Sequence, residues 1–305
     1  LPLEAGKECW WRVKVWDQNN QASDWSEPAV WVAGLPEKEW TAQWIGVPWQ
    51  GETALDEMED KTPPPAPLLR KTFQVEKGLK SARIWISGLG YYELRLNGQK
   101  VGDEVLVPNQ TNYDRRNGLM ERPIPVPDHF TGYKVMYLSY DVTQSLAQGE
   151  NALGVILGNG FYNAEQNWVK GYGSPRLLLQ MQLEYEDGRK ETIVSDPSWK
   201  VSRSAIVSDM IYQGEHYDAR LEQPGWDTAS FDDSKWEQAV LRKTPYGRLV
   251  AQNGPSARVM ERLQPQKIDK LGEGHYRIDF GEEISGWLRL NDVEGPAGQR
   301  TDIRY

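Results

Sequence analysis

The clearest fold signal lies in residues 81–98, SARIWISGLGYYELRLNG. Every second residue from Ala82 to Ile86 is apolar, and this alternation predicts a strand with one buried face. A second run, residues 91–96, leads into the dipeptide Asn97-Gly98. Because Asn and Gly tolerate the positive φ angles of a two-residue turn, this stretch predicts a tight antiparallel hairpin.

Short strand-like runs of the same kind recur along the whole chain, and turn signals separate them at short intervals. The other main runs are residues 9–16, 68–75, 135–142, 151–157, 176–185, 191–194 and 205–212. No helix of ordinary length is predicted, and residues 141–146 suggest only a single helical turn. The pattern predicts an all-β chain built from consecutive antiparallel β-sandwiches.

Both ends of the sequence read as incomplete units. Residues 9–32 form a predicted hairpin with an incomplete sheet, and no start methionine precedes it. A new unit begins near residue 252, and its predicted strands are residues 274–280, 286–293 and 300–305. We therefore expect this chain to be a piece of a longer protein.

Composition limits the classes of function. The 305 residues suffice for two or three domains, and the formal net charge of −9 disfavours binding to nucleic-acid phosphates. No apolar run is long enough to predict a membrane-spanning segment. The single Cys excludes an internal disulfide and leaves the cellular compartment open. The 14 Trp and 14 Tyr are expected mainly to pack on sheets, although such rings also serve as platforms for sugars.

Few residues suggest catalysis or metal binding. Glycoside hydrolysis needs a positioned pair of carboxyl groups, but the acidic clusters at residues 56–60 and 282–283 are interpreted as solvated loop charge. His129, His216 and His275 lie in unrelated segments without metal-ligand spacing. We expect no catalytic residue and no zinc site in this chain.

The most charged strand-like motif is GEHYDAR, residues 214–220. In one interpretation, a carboxylate of this motif contacts a ligand. In the other, Glu215 or Asp218 is a buried acid that pairs with Arg220 and fixes the edge of the sandwich through charge-assisted hydrogen bonds. We favour the structural interpretation, and we likewise expect residues 232–236 to form a loop cap over the sandwich.

Four segments, taken in order, resemble the non-catalytic N-terminal region of bacterial α-L-rhamnosidases, which are inverting glycoside hydrolases. They are WRVKVWD at 11–17 with SDWSEP at 23–28, SGLGYYEL at 87–94, LGNGFY at 157–162 with GEHYDAR at 214–220, and DFGEEISGW at 279–287. Together they extend over essentially the whole chain.

The resemblance implies three consecutive units. Residues 1–35 would be a partial fibronectin type III-like domain, and residues 36–250 a jelly-roll carbohydrate-binding domain of the galactose-binding-like type. Residues 251–305 would begin a second β-sandwich. In the family, an (α/α)6 barrel with the catalytic carboxylates follows that sandwich, so the resemblance places catalysis outside this chain.

The resemblance also suggests candidate ligand contacts. In some relatives the central domain binds terminal rhamnose through a calcium ion, and Asp114 aligns with the calcium-binding aspartate. Arg115 and Lys170 stand where those relatives carry oxygen ligands, so we expect no calcium and no other cofactor unless Asp114 retains the site. Asn159 and Pro175 complete the candidate ligand-binding residues.

The resulting hypothesis is the accessory, non-catalytic N-terminal region of an α-L-rhamnosidase that hydrolyses terminal α-L-rhamnosides. Its partner would be a rhamnose-containing carbohydrate, reached through the parent enzyme, and neither nucleic acid nor a membrane is expected. A stand-alone glycan-binding module and a purely structural spacer are the alternatives. The sequence leaves the localisation open.

Overall fold

A computed structural model of the chain describes residues 3–114, 132–164, 171–291 and 293–304. The described residues form 21 strands and four short 3₁₀ turns, with no α-helix among them, so the prediction of an all-β fold is confirmed. The strands are β1 (Glu8–Trp11), β2 (Ala29–Val32), β3 (Ile45–Gly46), β4 (Pro67–Val75), β5 (Leu79–Leu89), β6 (Tyr91–Leu96), β7 (Gln99–Lys100), β8 (Glu104–Val105), β9 (Lys134–Asp141), β10 (Gly149–Gly158), β11 (Arg176–Tyr185), β12 (Lys190–Val194), β13 (Lys200–Arg203), β14 (Ile206–Met210), β15 (Gly214–Tyr217), β16 (Glu237–Gln238), β17 (Val240–Leu241), β18 (Arg248–Ala251), β19 (Ala257–Arg258), β20 (Lys267–Gly272) and β21 (His275–Asp279).

Two large sheets form the centre of the fold. One has six strands in the order β16-β13-β4-β10-β6-β7, and the other has seven, with β17-β3-β11-β5-β9-β18 in order and β12 beside β11. The pairings are antiparallel except that β18 runs parallel to β9. Alternate residues of both sheets share one hydrophobic core, which includes Leu69, Leu94, Leu153 and Val155 from the first sheet and Ile84, Ile86, Leu179 and Met181 from the second.

The predicted turn at Asn97-Gly98 is confirmed. Asn97 has φ 50° and Gly98 has φ 82°, and the two residues join β6 to β7. Of the other turn predictions, residues 143–145 form a 3₁₀ turn within the expected helical stretch. The Asp141 carboxylate accepts a hydrogen bond from the Thr143 amide at 3.0 Å and fixes the start of this turn.

Residues 226–236 cover the outer face of the six-stranded sheet, as the predicted loop cap requires. Trp226 and Trp236 stack at 6.2 Å between ring centroids and bury Leu68 of β4 beneath them. Gly154 of β10 lies under Trp226. A Cβ at this position would come within 2.8 Å of the indole ring. The cap therefore packs on a site that only glycine leaves open.

The strands outside the sandwich are short hairpins. β1 pairs with β2, and β20 pairs with β21, both antiparallel. The prediction of further strands at residues 286–293 and 300–305 is wrong for the part that the structure describes. A strand needs a neighbour to accept its backbone hydrogen bonds, and no described segment pairs with these residues. In the described part of the chain, no helix has the length and apolar character needed to cross a membrane.

Candidate functional site

The strands β14 and β15 form a hairpin that stands apart from the two large sheets. Met210 pairs with Gly214, Asp209 with Glu215, and Ser208 with His216 across the hairpin. Directly opposite residues share one face of an antiparallel pair. The register therefore places two carboxylates opposite each other and brings the serine beside the histidine.

The Asp209 carboxylate ties the hairpin to the end of β10. It accepts hydrogen bonds from the Asn159 backbone amide at 2.8 Å and from Asn159 Nδ2 at 3.1 Å. Asn159 is only 1% exposed, and its Oδ1 accepts a hydrogen bond from Asn163 Nδ2 at 2.7 Å. Asn163 Oδ1 in turn accepts from the Leu55 amide at 2.7 Å. This chain of hydrogen bonds fixes the hairpin on the sandwich.

The electrostatics of the hairpin favour protonation of its carboxylates. Burial raises the pKa of Asp209 to about 6, and the negative charge of Glu215 adds to the rise, while the hydrogen bonds from Asn159 oppose it. Burial also raises the pKa of Glu215. Both groups are harder to ionise here than in water, because no cation of the described residues pairs with either of them.

A cleft of about 420 Å³ opens between this hairpin and residues 60–63. Ser208, Met210, Gln213 and His216 line it on the hairpin side, and Asp209 also borders it. The volume falls in the range of small-molecule sites. The lining combines hydroxyl, amide and imidazole groups with the carboxylates of Asp60 and Asp209 and the ammonium group of Lys61.

The wall opposite the hairpin is a loop held by its own hydrogen bonds. The Asp60 carboxylate accepts a hydrogen bond from the Thr62 amide at 2.9 Å, and this bond lowers the pKa of Asp60. Pro63 follows in the same wall. An Asx-type turn followed by proline restricts the backbone, so this wall is shaped before any ligand arrives.

Aromatic side chains gather at the tip of the hairpin. Phe161 and Tyr212 make an edge-to-face contact at 5.7 Å between ring centroids. Tyr212 is 41% exposed. Tyr91 lies against Gly160, where a Cβ would come within 2.8 Å of its ring, and Gly160 has φ +50°. These contacts give the hairpin tip a partly apolar surface.

The candidate Asp114 lies in a different aromatic cluster. Tyr113, Tyr162 and Tyr172 contact one another at 5.2 to 5.6 Å between ring centroids. Burial raises the pKa of Tyr162 to about 12, and the nearby Asp114 charge contributes to the rise. Asp114 is half-buried. The cluster therefore brings Asp114 close to tyrosine rings.

The calcium hypothesis depends partly on residues outside the described part of the chain, namely Arg115 and Lys170. The described residues contain no group of three or more His, Cys, Asp or Glu side chains that could hold a metal ion. Asp114 alone does not provide the six or more oxygen ligands that calcium takes. The calcium hypothesis at Asp114 stays a prediction, because Arg115 and Lys170 lie outside the described residues.

The other candidates occupy different positions. Asn159 supports the hairpin through the hydrogen bonds described above, and Pro175 is buried at the start of β11. Asp218 and Arg220 form an ion pair at 2.6 Å, which holds the pKa of Asp218 down to about 2. The sequence suggested a buried pair, but the Arg220 side chain is 65% exposed. The ion pair is formed within a single turn of the chain, since Asp218 also accepts a hydrogen bond from the Arg220 amide.

Sequence reasoning missed Asp209 and Ser208, which face Glu215 and His216. One signal was available. Tyr212 stands midway between Asp209 and Glu215, so a hairpin centred on it would place these acids opposite each other. The predicted strand at residues 205–212 ran through that turn, and this hid the pairing. Asn159, Asp209 and Glu215 are brought together by the fold, whereas Asp114 and Pro175 lie elsewhere.

Comparison with known proteins gives consistent matches. A family model described as "Alpha-L-rhamnosidase N-terminal domain" matches residues 77–121 and 127–261. A second model, "Rha78A-like, N-terminal immunoglobulin domain", matches residues 1–37.

Individual relatives agree with these models. An alpha-L-rhamnosidase of Formosa agariphila is 35% identical over 99% of this chain and 32% of its own length. One from Streptomyces avermitilis is 33% identical over 93% of this chain and 26% of its own.

The architecture is shared with a solved enzyme as well. The structure of alpha-L-rhamnosidase from Dictyoglumus thermophilum superposes with a TM-score of 0.74 and 37% identity, over 92% of this chain and 30% of that one. The chain thus spans about a quarter to a third of the length of the relatives that it matches. The matched models, the all-β fold and the order of the segments agree, and the chain belongs to the alpha-L-rhamnosidase family, as its N-terminal region.

Proposed function

We propose that this chain is an accessory, non-catalytic region that holds rhamnose-containing glycans for the catalytic part of an α-L-rhamnosidase. The observation that carries the proposal is the match of the N-terminal family model across residues 77–121 and 127–261. The curated relatives are named as alpha-L-rhamnosidases over lengths about three to four times that of this chain. Their activity is assigned here to the parent protein.

The carboxylates of the hairpin support a non-catalytic role. Inverting hydrolysis needs one carboxyl group that donates a proton and another, about 6.5–9.5 Å away, that activates water. Both oxygens of Asp209 accept hydrogen bonds from Asn159. This arrangement suits a structural anchor, because the carboxylate already holds the hairpin on the sandwich.

The overall charge supports a neutral ligand. With a formal net charge of −9, the chain repels polyanions, whereas a neutral glycan meets no such barrier. The polar cleft beside the fixed hairpin offers such a ligand a concave surface of about 420 Å³. The cleft therefore favours an accessory region that binds carbohydrate over a purely structural one.

The test combines an activity assay with a binding assay on the purified chain. We expect no hydrolysis of an aryl α-L-rhamnoside above a buffer blank, because the catalytic carboxylates are assigned to another part of the parent. We expect saturable binding when the chain is titrated with a rhamnose-containing oligosaccharide in a calorimeter, with a glucose oligosaccharide as the control.

Each part of the proposal has its own contrary result. Turnover that survives repurification would refute the non-catalytic role. Absence of binding to any rhamnose-containing glycan would refute the glycan-holding role and favour the spacer. Binding in the isolated chain together with no effect of its removal on the parent enzyme would favour a stand-alone binding module.

A further inference from the structure

We propose that the cleft between residues 60–63 and the β14–β15 hairpin is a binding site for a neutral saccharide, contacted by Ser208, Gln213 and His216. This inference rests on the proposed function, to which it adds a position and the residues that contact the sugar.

Three polar side chains on the hairpin side of the cleft are left for a ligand by the residues that the structure describes. The Ser208 hydroxyl, the Gln213 amide and the His216 imidazole make no side-chain hydrogen bond or ion pair with any of the residues that the structure describes. Together they offer both donors and acceptors. Three such groups converge on one concave surface, which is the arrangement that fixes the orientation of a small ligand.

The charge around the cleft disfavours an anionic ligand. Asp60 and Asp209 border the cleft together with one cation, Lys61, so carboxylates outnumber ammonium groups and an anion is repelled. A metal ion fits poorly, because both oxygens of Asp209 already accept from Asn159 and the described residues contain no metal-binding group of three side chains. Sugar hydroxyls donate to carboxylates and accept from imidazole and amide groups. A neutral saccharide can therefore form hydrogen bonds with the polar groups on both sides of the cleft.

The walls of the site are held in place by the fold. The hairpin is anchored through Asp209 to buried Asn159, and Met210, next to the turn of the hairpin, is only 3% exposed. Pro63 restricts the opposite wall. The apolar surface of Pro63 can pack on the C–H face of a pyranose ring, while the three polar side chains meet its hydroxyls. Preformed walls reduce the entropy that a ligand must lose on binding.

The experiment titrates the whole chain with methyl α-L-rhamnoside and with a rhamnose-containing oligosaccharide, by calorimetry and by ligand-observed NMR. The variants are His216→Ala, Ser208→Ala and Gln213→Ala. The matched control is His275→Ala, which removes an exposed histidine from β21, outside the cleft. Circular dichroism and thermal unfolding check that each variant is folded.

We expect His216→Ala and Gln213→Ala each to weaken the affinity roughly threefold to tenfold, since each removes one hydrogen bond to the ligand. The double variant should weaken it further, and His275→Ala should leave it unchanged. His216→Gln keeps a donor and an acceptor, so it should recover part of the lost affinity. If His216→Ala lost its fold, His216→Gln would take its place in the comparison.

The outcomes separate the inference from the proposed function. Sugar binding that is equal in the wild type and all cleft variants would overturn the inference, yet it would leave the accessory glycan-holding role intact. Absence of sugar binding in the wild type would overturn both. Saturation by a cationic peptide or a divalent metal ion, lost in the cleft variants and without any sugar binding, would show that the cleft takes a cation and would also overturn the inference.

Discussion

At the residue scale, Asp209 is an acid that the fold makes costly to ionise. Its pKa is raised to about 6 from 3.8, by burial and by the Glu215 carboxylate on the facing strand. A group with a raised pKa in the folded state contributes stability that is fully present below the unfolded pKa. This contribution is lost as the pH rises through the folded pKa, so Asp209 should destabilise the protein between about pH 4 and pH 7.

The test is Asp209→Asn, with the free energy of unfolding measured by urea titration at pH 4 and at pH 7. The variant has no group that ionises at this position. Its free energy of unfolding relative to the wild type should therefore increase by about 1–3 kcal/mol as the pH rises from 4 to 7. Glu215→Gln should reduce the effect, since it removes the facing charge. A difference between Asp209→Asn and the wild type that is independent of pH would contradict the raised pKa.

Residues of this kind are hard to identify from sequence. Glu215 and His216 stood out because GEHYDAR is dense in charge, but Asp209 lies in an ordinary-looking strand. Its properties arise from Asn159, 50 residues earlier in the chain, whose amide groups hold it in place. Such a contact depends on how β10 and the hairpin meet in space, and no local pattern encodes it. Site assignments at Asp114, Asn159 and Pro175 accordingly remain predictions.

At the element scale, Arg70 attaches the loop cap to the six-stranded sheet. The side chain is 1% exposed, and its guanidinium donates from Nε to the Trp226 carbonyl at 2.9 Å and from Nη2 to the Thr228 carbonyl at 2.6 Å. It also forms an ion pair with Asp233 and lies over the Phe231 ring. Only the planar fork of arginine reaches these partners at once.

Replacement of Arg70 by Lys should therefore be costly despite the conserved charge. One ammonium group cannot satisfy two carbonyls and a carboxylate in that geometry, so we expect a loss of about 2–4 kcal/mol in the free energy of unfolding. The matched control is Arg189→Lys, at a surface site where the arginine pairs with Glu76 and Glu191. That change should cost less than about 1 kcal/mol. Equal losses in urea titrations of the two variants would show that Arg70 does not anchor the cap.

Elements with a regular local pattern were the ones that sequence could predict. The alternation at residues 82–86 and the Asn97-Gly98 turn both follow from short-range chemistry, and the structure contains the corresponding strands and hairpin. The predicted strands at 286–293 and 300–305 have similar alternation but no described neighbour to pair with. Pairing is a property of two segments, so a pattern in one of them cannot establish it.

At the scale of the whole molecule, burial is uneven along the chain. The sandwich contains the large core cluster, and Leu153 and Val155 of β10 are fully buried there. The β1–β2 hairpin, by contrast, contains no buried residue, and Trp10 and Trp31 are 65% and 46% exposed. The division into units at residues 1–35, 36–250 and 251–305 remains a prediction, although the uneven burial is compatible with it.

This contrast predicts different rates of hydrogen exchange in the two regions. A two-stranded hairpin is marginally stable by itself, and β10 is hydrogen-bonded on both sides, to β4 and to β6. Backbone amides of β1 and β2 should open locally at low free energy, whereas those of β10 should exchange only through unfolding of the sandwich. Exchange measured by mass spectrometry should therefore be complete in the hairpin long before Leu153 to Leu157 exchange.

The hairpin is connected to the sandwich through Leu35, which is 6% exposed and packs with Trp85 and Tyr137. Leu35→Ala should accelerate exchange in β1 and β2 further, because it removes apolar contact at the base of the hairpin, while β10 should change much less. Protection in the wild-type hairpin equal to that of β10 would mean that the hairpin unfolds only together with the sandwich. In that case the contacts at the base of the hairpin would raise the free energy of its local opening to that of the sandwich, despite the exposure of its tryptophans.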